Sequence, residues 1–303
     1  MRCFIEQPRD SFKEARMDNP DALILTSQAE GIAHIQFNRP RQLNAFNNEL
    51  MHETLAAVER YDADEDVRVI LVSGTGRAFS AGFDLKASAE RQLDTIDKVR
   101  AQMELQFDFI TQFWTATKPT IAAVHGYCIA GAFELSLACD ITIAAQDAIF
   151  GEPEVRFGTG TVAMLFPWVT GPKQAKEILL TGEDRLSAED ALRMGFVNRL
   201  VPEAEVLPAA RRLAKKVTRA SAVSVQKTKA AVNRSYDIMG MRQALAAGLD
   251  IDIEINATPS FEKSEFARIR KEQGVKAAIA WRDARFARSE EHTSELQSPD
   301  HLV

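Results

Sequence analysis

Residues 118–140 constrain the fold of this chain more than any other stretch. A β-branched, almost uncharged run opens on Lys118-Pro119 and ends at Val124, which predicts a buried strand. A turn follows, and an apolar helix is predicted to begin close to Gly131. A residue without a Cβ there lets a second backbone or a ligand come close, and the free N–H groups in the first turn of a helix attract negative charge. The stretch therefore predicts a strand that leads to a helix N-terminus suited to a developing oxyanion.

Two glutamates stand where a charged side chain is unexpected. Glu134 lies in the apolar helix, among Ala, Phe, Leu, Ser and Cys, where an ionised carboxylate is costly unless it has a partner or a function. Glu154 ends the segment Phe150-Gly151-Glu152-Pro153-Glu154. Two structural interpretations stay open, since Glu134 could bridge groups within a packing face and Glu154 could belong to a solvated turn. The functional interpretation is preferred for both residues.

The periodicity of apolar residues predicts an α/β protein with a helical region at its carboxyl end. Short apolar runs alternate with helical stripes and Gly-containing turns, which is typical of crossover connections. Two runs that flank Glu30-Gly31 predict a β-hairpin. The predicted strands are Ala22 to Thr26, Ile32 to Phe37, Val67 to Val72, Lys118 to Val124, Ile141 to Ala145 and the short exit Val197 to Val201, and the predicted helices begin near Asn47, Ile96, Gly131, Pro172, Ser187, Leu207, Ser221, Met241 and Ser260.

These patterns divide the chain into four regions. Residues 1–21 are polar and aperiodic, and they are predicted to form a loose arm. Residues 22–205 form the predicted α/β core, and residues 206–287 form an Ala-rich helical region that packs subunits or covers a site. Residues 288–303 are predicted to be a non-native tail, because Arg288 to Ser298 lacks a helical period and is similar to an in-frame translation of a sequencing adapter.

Composition and charge exclude several classes of protein. The formal net charge of −6 argues against a standing nucleic-acid surface. No apolar run reaches the roughly 20 residues of a membrane helix, and the amino terminus lacks the apolar core of a signal peptide, so a cytoplasmic protein without membrane contact is expected. The three cysteines have no metal-ligand spacing and are expected to be reduced thiols. The Gly-rich connection Ser73 to Leu85 matches neither a phosphate-binding loop nor a dinucleotide fingerprint.

Three separated motifs carry a resemblance to a known family. In chain order they are Ala78 to Leu85, Lys118 to Asp140, and Phe150 to Glu154. Over about Ala22 to Val201 the chain resembles the crotonase superfamily, the enoyl-CoA hydratase and isomerase family. The resemblance implies a spiral of repeated β-β-α units with a C-terminal α-helical region, a homotrimer or dimer of trimers, and an acyl-CoA thioester substrate. Coenzyme A enters as part of that substrate, and neither a separate cofactor nor a metal is implied.

The resemblance also implies roles for single residues. Phe83 and Gly131 match the two positions whose backbone N–H groups hold the thioester oxygen, and Phe83 keeps this donor although Ala is commoner there. Glu134 and Glu154 match the two catalytic carboxylates of the hydratases, with Glu134 assigned to the water and Glu154 to the proton delivered to C2. The residues implied to bind acyl-CoA are Ala81, Phe83, Asp84, Leu85, Lys86 and Gly131.

The sequence gives weaker evidence of a function for the remaining polar residues. His125 has no nucleophile at a recognisable elbow and is expected to be a strand-end residue with a satisfied hydrogen bond. Lys86 and Arg39 could meet CoA phosphates or could be solvated charges. The segment Gly158 to Leu165 departs from the Pro-Gly-rich pattern common in the family and has apolar residues instead, which puts the shape of the acyl pocket in question.

The sequence thus predicts a hydratase-like lyase that adds water across the C2–C3 double bond of a 2-enoyl-CoA. Fixed N–H donors would stabilise the enolate-like charge that this reaction builds on the thioester oxygen. One alternative is an enoyl-CoA isomerase, or another enzyme of the superfamily, that needs only Glu154. A second alternative is a protein that binds acyl-CoA without catalysis. Nucleic-acid binding is disfavoured by the charge.

Overall fold

Strands and helices alternate through the first two thirds of the chain, and helices alone follow. The computed structural model describes residues 22–91 and 93–296, so the predicted arm over residues 1–21 lies outside the described residues. The strands are β1 Ile24–Ala29, β2 Ile32–Phe37, β3 Val69–Gly74, β4 Ala78–Ser80, β5 Thr120–Val124, β6 Tyr127–Ile129, β7 Ile141–Ala145, β8 Ile149–Gly151, β9 Leu186–Ser187 and β10 Arg199–Val201. The helices are α1 Asn48–Ala63, α2 Leu85–Glu90, α3 Ile96–Thr115, α4 Gly131–Ala138, α5 Phe166–Val169, α6 Pro172–Thr181, α7 Ala188–Met194, α8 Val206–Thr218, α9 Ala222–Ile238, α10 Met241–Ala257, α11 Phe261–Gln273 and α12 Val275–Leu296.

The strands of the described residues form two sheets. The larger one has the order β1-β2-β3-β5-β7-β10, and the smaller one has the order β4-β6-β8-β9. The central strands of both sheets pair in parallel, while β1 with β2 and β8 with β9 pair antiparallel. The chain therefore places one strand in the larger sheet, the next in the smaller sheet, and then a helix, as in β5-β6-α4. The predicted repeat of β-β-α units is confirmed.

The predicted hairpin and first helix form for local reasons. Glu30 and Gly31 both have positive φ angles, +53° and +78°, which is the conformation of a two-residue turn whose twist matches that of the flanking strands. Asn47 caps α1, because its side-chain oxygen accepts a hydrogen bond from the N–H of Leu50 at 3.1 Å. The second strand has its predicted bounds and α1 begins within one residue of its predicted start, whereas β1 begins two residues and ends three residues later than predicted.

Two clusters of phenylalanine rings lie in the core, and the second includes Phe133 of α4. Their rings meet edge to face, an arrangement that complements the charge distribution of aromatic rings. The first cluster supports the loop after β4, and the second packs beneath α4, all eight residues of which are buried. The first cluster comprises Phe37, Phe46, Phe79, Phe83, Phe109 and Phe113, and the second comprises Phe133, Phe150, Phe166 and Phe196.

The last two helices cover a short 3₁₀ turn, Glu154–Phe157, that follows β8. Phe157 packs edge to face on Phe266 of α11, with ring centroids 4.8 Å apart. Arg282 of α12 lies over the Phe157 ring and forms an ion pair with Asp184 at 3.0 Å. The helical region therefore covers the end of the third motif, Phe150 to Glu154. None of the helices within the described ranges is both long enough and apolar enough to cross a membrane.

The end of α12 differs from the sequence-based expectation. The segment from Arg288 was excluded from the fold because it has no apolar period, yet the backbone continues as a helix to Leu296. A helix that begins in the Ala-rich stretch after Val275 can continue through Glu, Ser and Leu at small cost, because propagation needs no apolar face. The non-native origin of residues 288–303 stays a prediction.

Candidate active site

The backbone around Phe83 directs its N–H away from the core. The Phe46 N–H donates to the Gly82 carbonyl at 2.8 Å, and the Asp84 N–H donates to the Phe46 carbonyl at 3.0 Å. These two bonds form a parallel bridge between Phe46 and Phe83, in which the N–H of Phe83 points to the opposite side. Phe83 therefore offers a fixed backbone donor beside the start of α4.

Gly131 supplies the second donor. It is the first residue of α4, so its N–H has no acceptor within the helix. A Cβ placed on Gly82 would lie 3.1 Å from the Gly131 nitrogen, which shows that the two segments are in contact. The preceding residue, Ala130, has φ +57° and ψ −134°, a strained conformation for a residue with a Cβ. The strained turn brings the helix N-terminus beside Phe83.

The ring of Phe83 explains why the first residue of α4 is a glycine. A Cβ on Gly131 would lie 2.5 Å from Cε2 of Phe83, which is closer than real Cβ contacts come. The ring also packs on Phe46, with centroids 6.2 Å apart, so it cannot retreat freely. The predicted oxyanion donors are therefore brought together, and the phenyl group shapes the space beside them.

Glu134 projects from the first turn of α4 into the protein interior. Its side chain is 1% exposed, and its carboxylate oxygens accept hydrogen bonds from the N–H groups of Val162 and Ala163. Burial raises the pKa of Glu134 well above its usual range, and the Glu154 and Asp252 carboxylates raise it further, against the lowering effect of the two N–H donors. These donors come from a distant segment, so Glu134 does not serve only the packing of its own helix.

Glu154 opens the 3₁₀ turn beneath α11 and α12 and is half-buried. Burial raises the pKa of Glu154 to about 7, and the nearby Asp252 carboxylate adds to this effect. The Arg282 guanidinium and a hydrogen bond from Thr159 act in the opposite direction. A carboxyl group with this pKa can both hold and release a proton near neutral pH.

Two further acids belong to the same site and were missed in the sequence. Glu152 is 1% exposed, and its Oε2 has no hydrogen-bond partner. Burial raises the pKa of Glu152 well above its usual range, and the neighbouring Glu134 and Glu154 raise it further. Asp252 of α10 is also 1% exposed, and burial raises its pKa to about 6.

One signal in the sequence could have revealed Asp252. It shares a helix face with Leu245 and Ile253, which are buried, so an acid stands where the helical period calls for an apolar residue. Glu152 lies in the third motif, Phe150 to Glu154, but only Glu154 matches a catalytic position of the family.

The predicted acyl-CoA segment is ordered by its own acid. The Asp84 carboxylate caps α2 by accepting from the N–H groups of Lys86 and Ala87 at 3.0 Å, and it forms an ion pair with Arg39 at 2.8 Å. These contacts, including Arg39, hold the pKa of Asp84 below its usual range although burial alone would raise it. Arg39 is therefore engaged within the protein, while Lys86 is exposed. The binding roles of Ala81, Asp84, Leu85 and Lys86 stay predictions.

His125 has a hydrogen-bond partner for its ring nitrogen Nε2. Its Nε2 lies 2.9 Å from the Gly76 carbonyl oxygen, which is the satisfied hydrogen bond expected of a strand-end residue. It takes no part in the group of acids.

The fold and the paired donors define a class of protein, and comparison with known proteins agrees. The chain belongs to the enoyl-CoA hydratase/isomerase family, whose model matches residues 27–274. The resemblance derived from the three motifs is thereby confirmed, together with the crotonase-like fold class.

Three relatives show how similar this chain is to known members of the family. The crystal structure of an enoyl-CoA hydratase/isomerase from Xanthobacter autotrophicus Py2 is 46% identical, covers 87% of this chain and 98% of its own, and superposes with a TM-score of 0.86. A probable enoyl-CoA hydratase from Rhizobium meliloti is 34% identical over 88% of this chain and 98% of its own length. The human mitochondrial Delta(3,5)-Delta(2,4)-dienoyl-CoA isomerase is 37% identical over 74% of this chain and 71% of its own length.

Proposed function

We propose that this protein is an enoyl-CoA hydratase, which adds water across the C2–C3 double bond of a 2-enoyl-CoA thioester. The observation that carries the proposal is the placement of two carboxyl groups with raised pKa values, Glu134 and Glu154, in the site where Phe83 and Gly131 present their N–H groups. Family membership supports an acyl-CoA substrate.

In the proposed reaction the thioester oxygen accepts hydrogen bonds from the N–H groups of Phe83 and Gly131. Glu134 orients a water molecule and takes one of its protons while the oxygen bonds to C3, and the electrons of the double bond move onto the thioester as an enolate. Fixed donors stabilise this charge where it forms. Glu154 then delivers a proton to C2.

The proton balance requires both acids. Each addition leaves Glu134 protonated and Glu154 ionised, so a proton must pass from the first to the second before the next turnover. The Glu154 carboxylate raises the pKa of Glu134, and two acids that interact in this way share protons as a unit, which suits this return. A metal or redox cofactor has no role in the proposed steps.

The isomerase alternative rests on a specific observation. Both oxygens of Glu134 already accept backbone N–H groups, and the side chain is almost fully buried, which restricts its contact with water. An isomerase would need only Glu154 to remove a proton from one carbon and return it to another. The dienoyl-CoA isomerase among the relatives gives this alternative weight.

The experiment follows the absorbance of the conjugated enoyl thioester with crotonyl-CoA and with a longer 2-enoyl-CoA. Wild-type protein should consume both, Glu154→Gln should lower kcat by about 10²–10⁴-fold, and Glu134→Ala should abolish hydration. The exposed Glu177→Gln on α6 is the matched control and should behave as wild type. Much remaining activity in Glu134→Ala would favour the isomerase, and binding without turnover of any ester would favour a binding protein.

A further inference from the structure

Five successive residues, 159–163, distribute hydrogen-bond donors among the four acids of the site. This segment is the one in which the sequence departs from the pattern common in the family. The donors come from backbone N–H groups and threonine hydroxyls; the first three positions each serve a different acidic residue, and the last two serve the same one. Thr159 donates to the carbonyl of Glu154, Gly160 to the Asp252 carboxylate, Thr161 to the Glu152 carboxylate, and Val162 and Ala163 to the Glu134 carboxylate.

Asp252 is the one of these acids that comes from the C-terminal helical region. Its Oδ1 accepts a hydrogen bond from Asn256 at 2.8 Å and lies beside Gly160, whereas its buried Oδ2 has no hydrogen-bond partner. A Cβ on Gly160 would lie 2.5 Å from this Oδ1, so the segment and the carboxylate are in tight contact. The carboxylate therefore fixes one end of a stretch whose other end holds Glu134.

We propose that Asp252 is a positioning residue of the active site, which holds Gly160 and thereby the Val162 and Ala163 donors that orient Glu134, and whose charge faces Glu154. The proposal rests on the two-glutamate reaction proposed above. Helix α10 would then help to position the reacting groups as well as cover the core.

The charges around Asp252 explain why its ionisation matters. Glu134, Glu152 and Glu154 face it from α4, from the end of β8 and from the 3₁₀ turn, while Lys263 of α11 is the positive group that acts on it. The Lys263 ammonium group donates to the carbonyls of Ile255, Asn256 and Thr258 rather than to the carboxylate. No three groups in the described residues converge to hold a metal ion.

The mechanical and electrostatic roles can be separated by two variants. Asp252→Asn keeps an oxygen for Gly160 and Asn256 but removes the charge, whereas Asp252→Ala removes both. Asp250→Asn is the matched control, because Asp250 lies on the same helix, is exposed and pairs with Arg100 on the surface. The first readout is the pKa of Glu154 in the free protein, followed by NMR of ¹³C-labelled carboxyl groups and assigned through Glu154→Gln. The second is the pH profile of kcat and KM.

Asp252→Asn should lower the pKa of Glu154 by about 0.5–1 unit, because a neighbouring negative charge is removed, and should keep kcat within about threefold at its new optimum. Asp252→Ala should lower kcat by about 10–100-fold with little change in KM, because Glu134 loses its alignment after substrate has bound. Asp250→Asn should leave both readouts at wild-type values.

An unchanged Glu154 pKa in Asp252→Asn would overturn the electrostatic role, and full kcat in a folded Asp252→Ala would overturn the positioning role. If the Ala variant does not fold, the Asn titration decides. The NMR titration needs no substrate, so a wild-type protein that fails to hydrate enoyl-CoA would overturn the proposed function while the Glu154 titration still tests Asp252.

Discussion

At the scale of single residues, Gly131 and Phe83 constrain each other. The phenyl ring occupies the space that any Cβ at position 131 would need, so the backbone donor of Gly131 stays in place only while that residue is glycine. The same ring can be removed without loss of the Phe83 donor, because that donor belongs to the backbone. The pair therefore gives a test of geometry that does not alter any acid.

Gly131→Ala should lower kcat by about 10²-fold, because the clash with the ring displaces an oxyanion donor. It should also lower the free energy of unfolding by about 1–3 kcal/mol through overpacking. Phe83→Ala makes room for the added methyl group, so Phe83→Ala/Gly131→Ala should recover much of both losses relative to Gly131→Ala. If Gly131→Ala and Phe83→Ala/Gly131→Ala lose the same kcat and the same free energy of unfolding, the phenyl ring is not the reason why residue 131 is glycine.

Glu152 is a residue whose burial is expected to lower the stability of the folded protein as the pH rises above about 4.3. Because its pKa is raised in the folded protein, the folded state keeps a proton that the unfolded chain loses above about pH 4.3, and stability falls as the pH rises from there toward the folded pKa. Glu152→Gln cannot ionise and should flatten this fall, by about 1.4 kcal/mol for each unit by which the pKa is raised. Urea unfolding at pH 5 and pH 8 measures the difference, with Glu177→Gln as the control. If the free energy of unfolding falls between pH 5 and pH 8 as much in Glu152→Gln as in wild type, the fall is due to other groups.

At the scale of elements, Arg282 links α12 to the site. Arg282, 7% exposed, forms ion pairs with Asp184 and Asp283 and lies over Phe157, next to the turn that Glu154 opens. Asp184 is also held by Arg156 at 3.3 Å, so it is not left without a partner when Arg282 is replaced. Arg282 thus connects α12, which covers the site, to the protonation of Glu154.

Arg282→Met should raise the pKa of Glu154, because the positive charge that lowers it is lost, and should shift the pH profile of kcat upward. The free energy of unfolding should fall by about 1–3 kcal/mol, since one buried charged contact is lost while Arg156 remains. A pH profile identical to that of wild type would show that Arg282 serves packing alone. The exposed Arg193→Met on α7 is the control for loss of a positive charge.

The elements differ in how far the sequence could predict them. The hairpin at Glu30-Gly31 and the cap at Asn47 depend on neighbours within a few residues, so their patterns were sufficient. The apolar periodicity does not predict the strands of the smaller sheet, because strands of three residues such as β4 and β6 are too short for a period to appear. Asp252 meets Gly160 across more than ninety positions of the chain, and no local pattern encodes such a contact.

At the scale of the whole molecule, the family assignment fixes the fold more firmly than the reaction. The relatives include a probable enoyl-CoA hydratase and a dienoyl-CoA isomerase, so membership of the family does not by itself decide the reaction. The predicted homotrimer or dimer of trimers stays a prediction, in keeping with exposed apolar side chains such as Val223, Val232 and Ile238 on α9. The cytoplasmic location also stays a prediction.

The fate of water oxygen tests the central claim most directly. Wild-type protein is incubated with crotonyl-CoA in H₂¹⁸O, and the acyl-CoA product is analysed by mass spectrometry. Hydration predicts a 3-hydroxyacyl-CoA that carries one ¹⁸O, formed by wild-type and Glu177→Gln but lost in Glu134→Ala and Glu154→Gln. If the wild-type protein binds crotonyl-CoA or moves its double bond, but forms no ¹⁸O-labelled 3-hydroxyacyl-CoA, the hydratase account is contradicted.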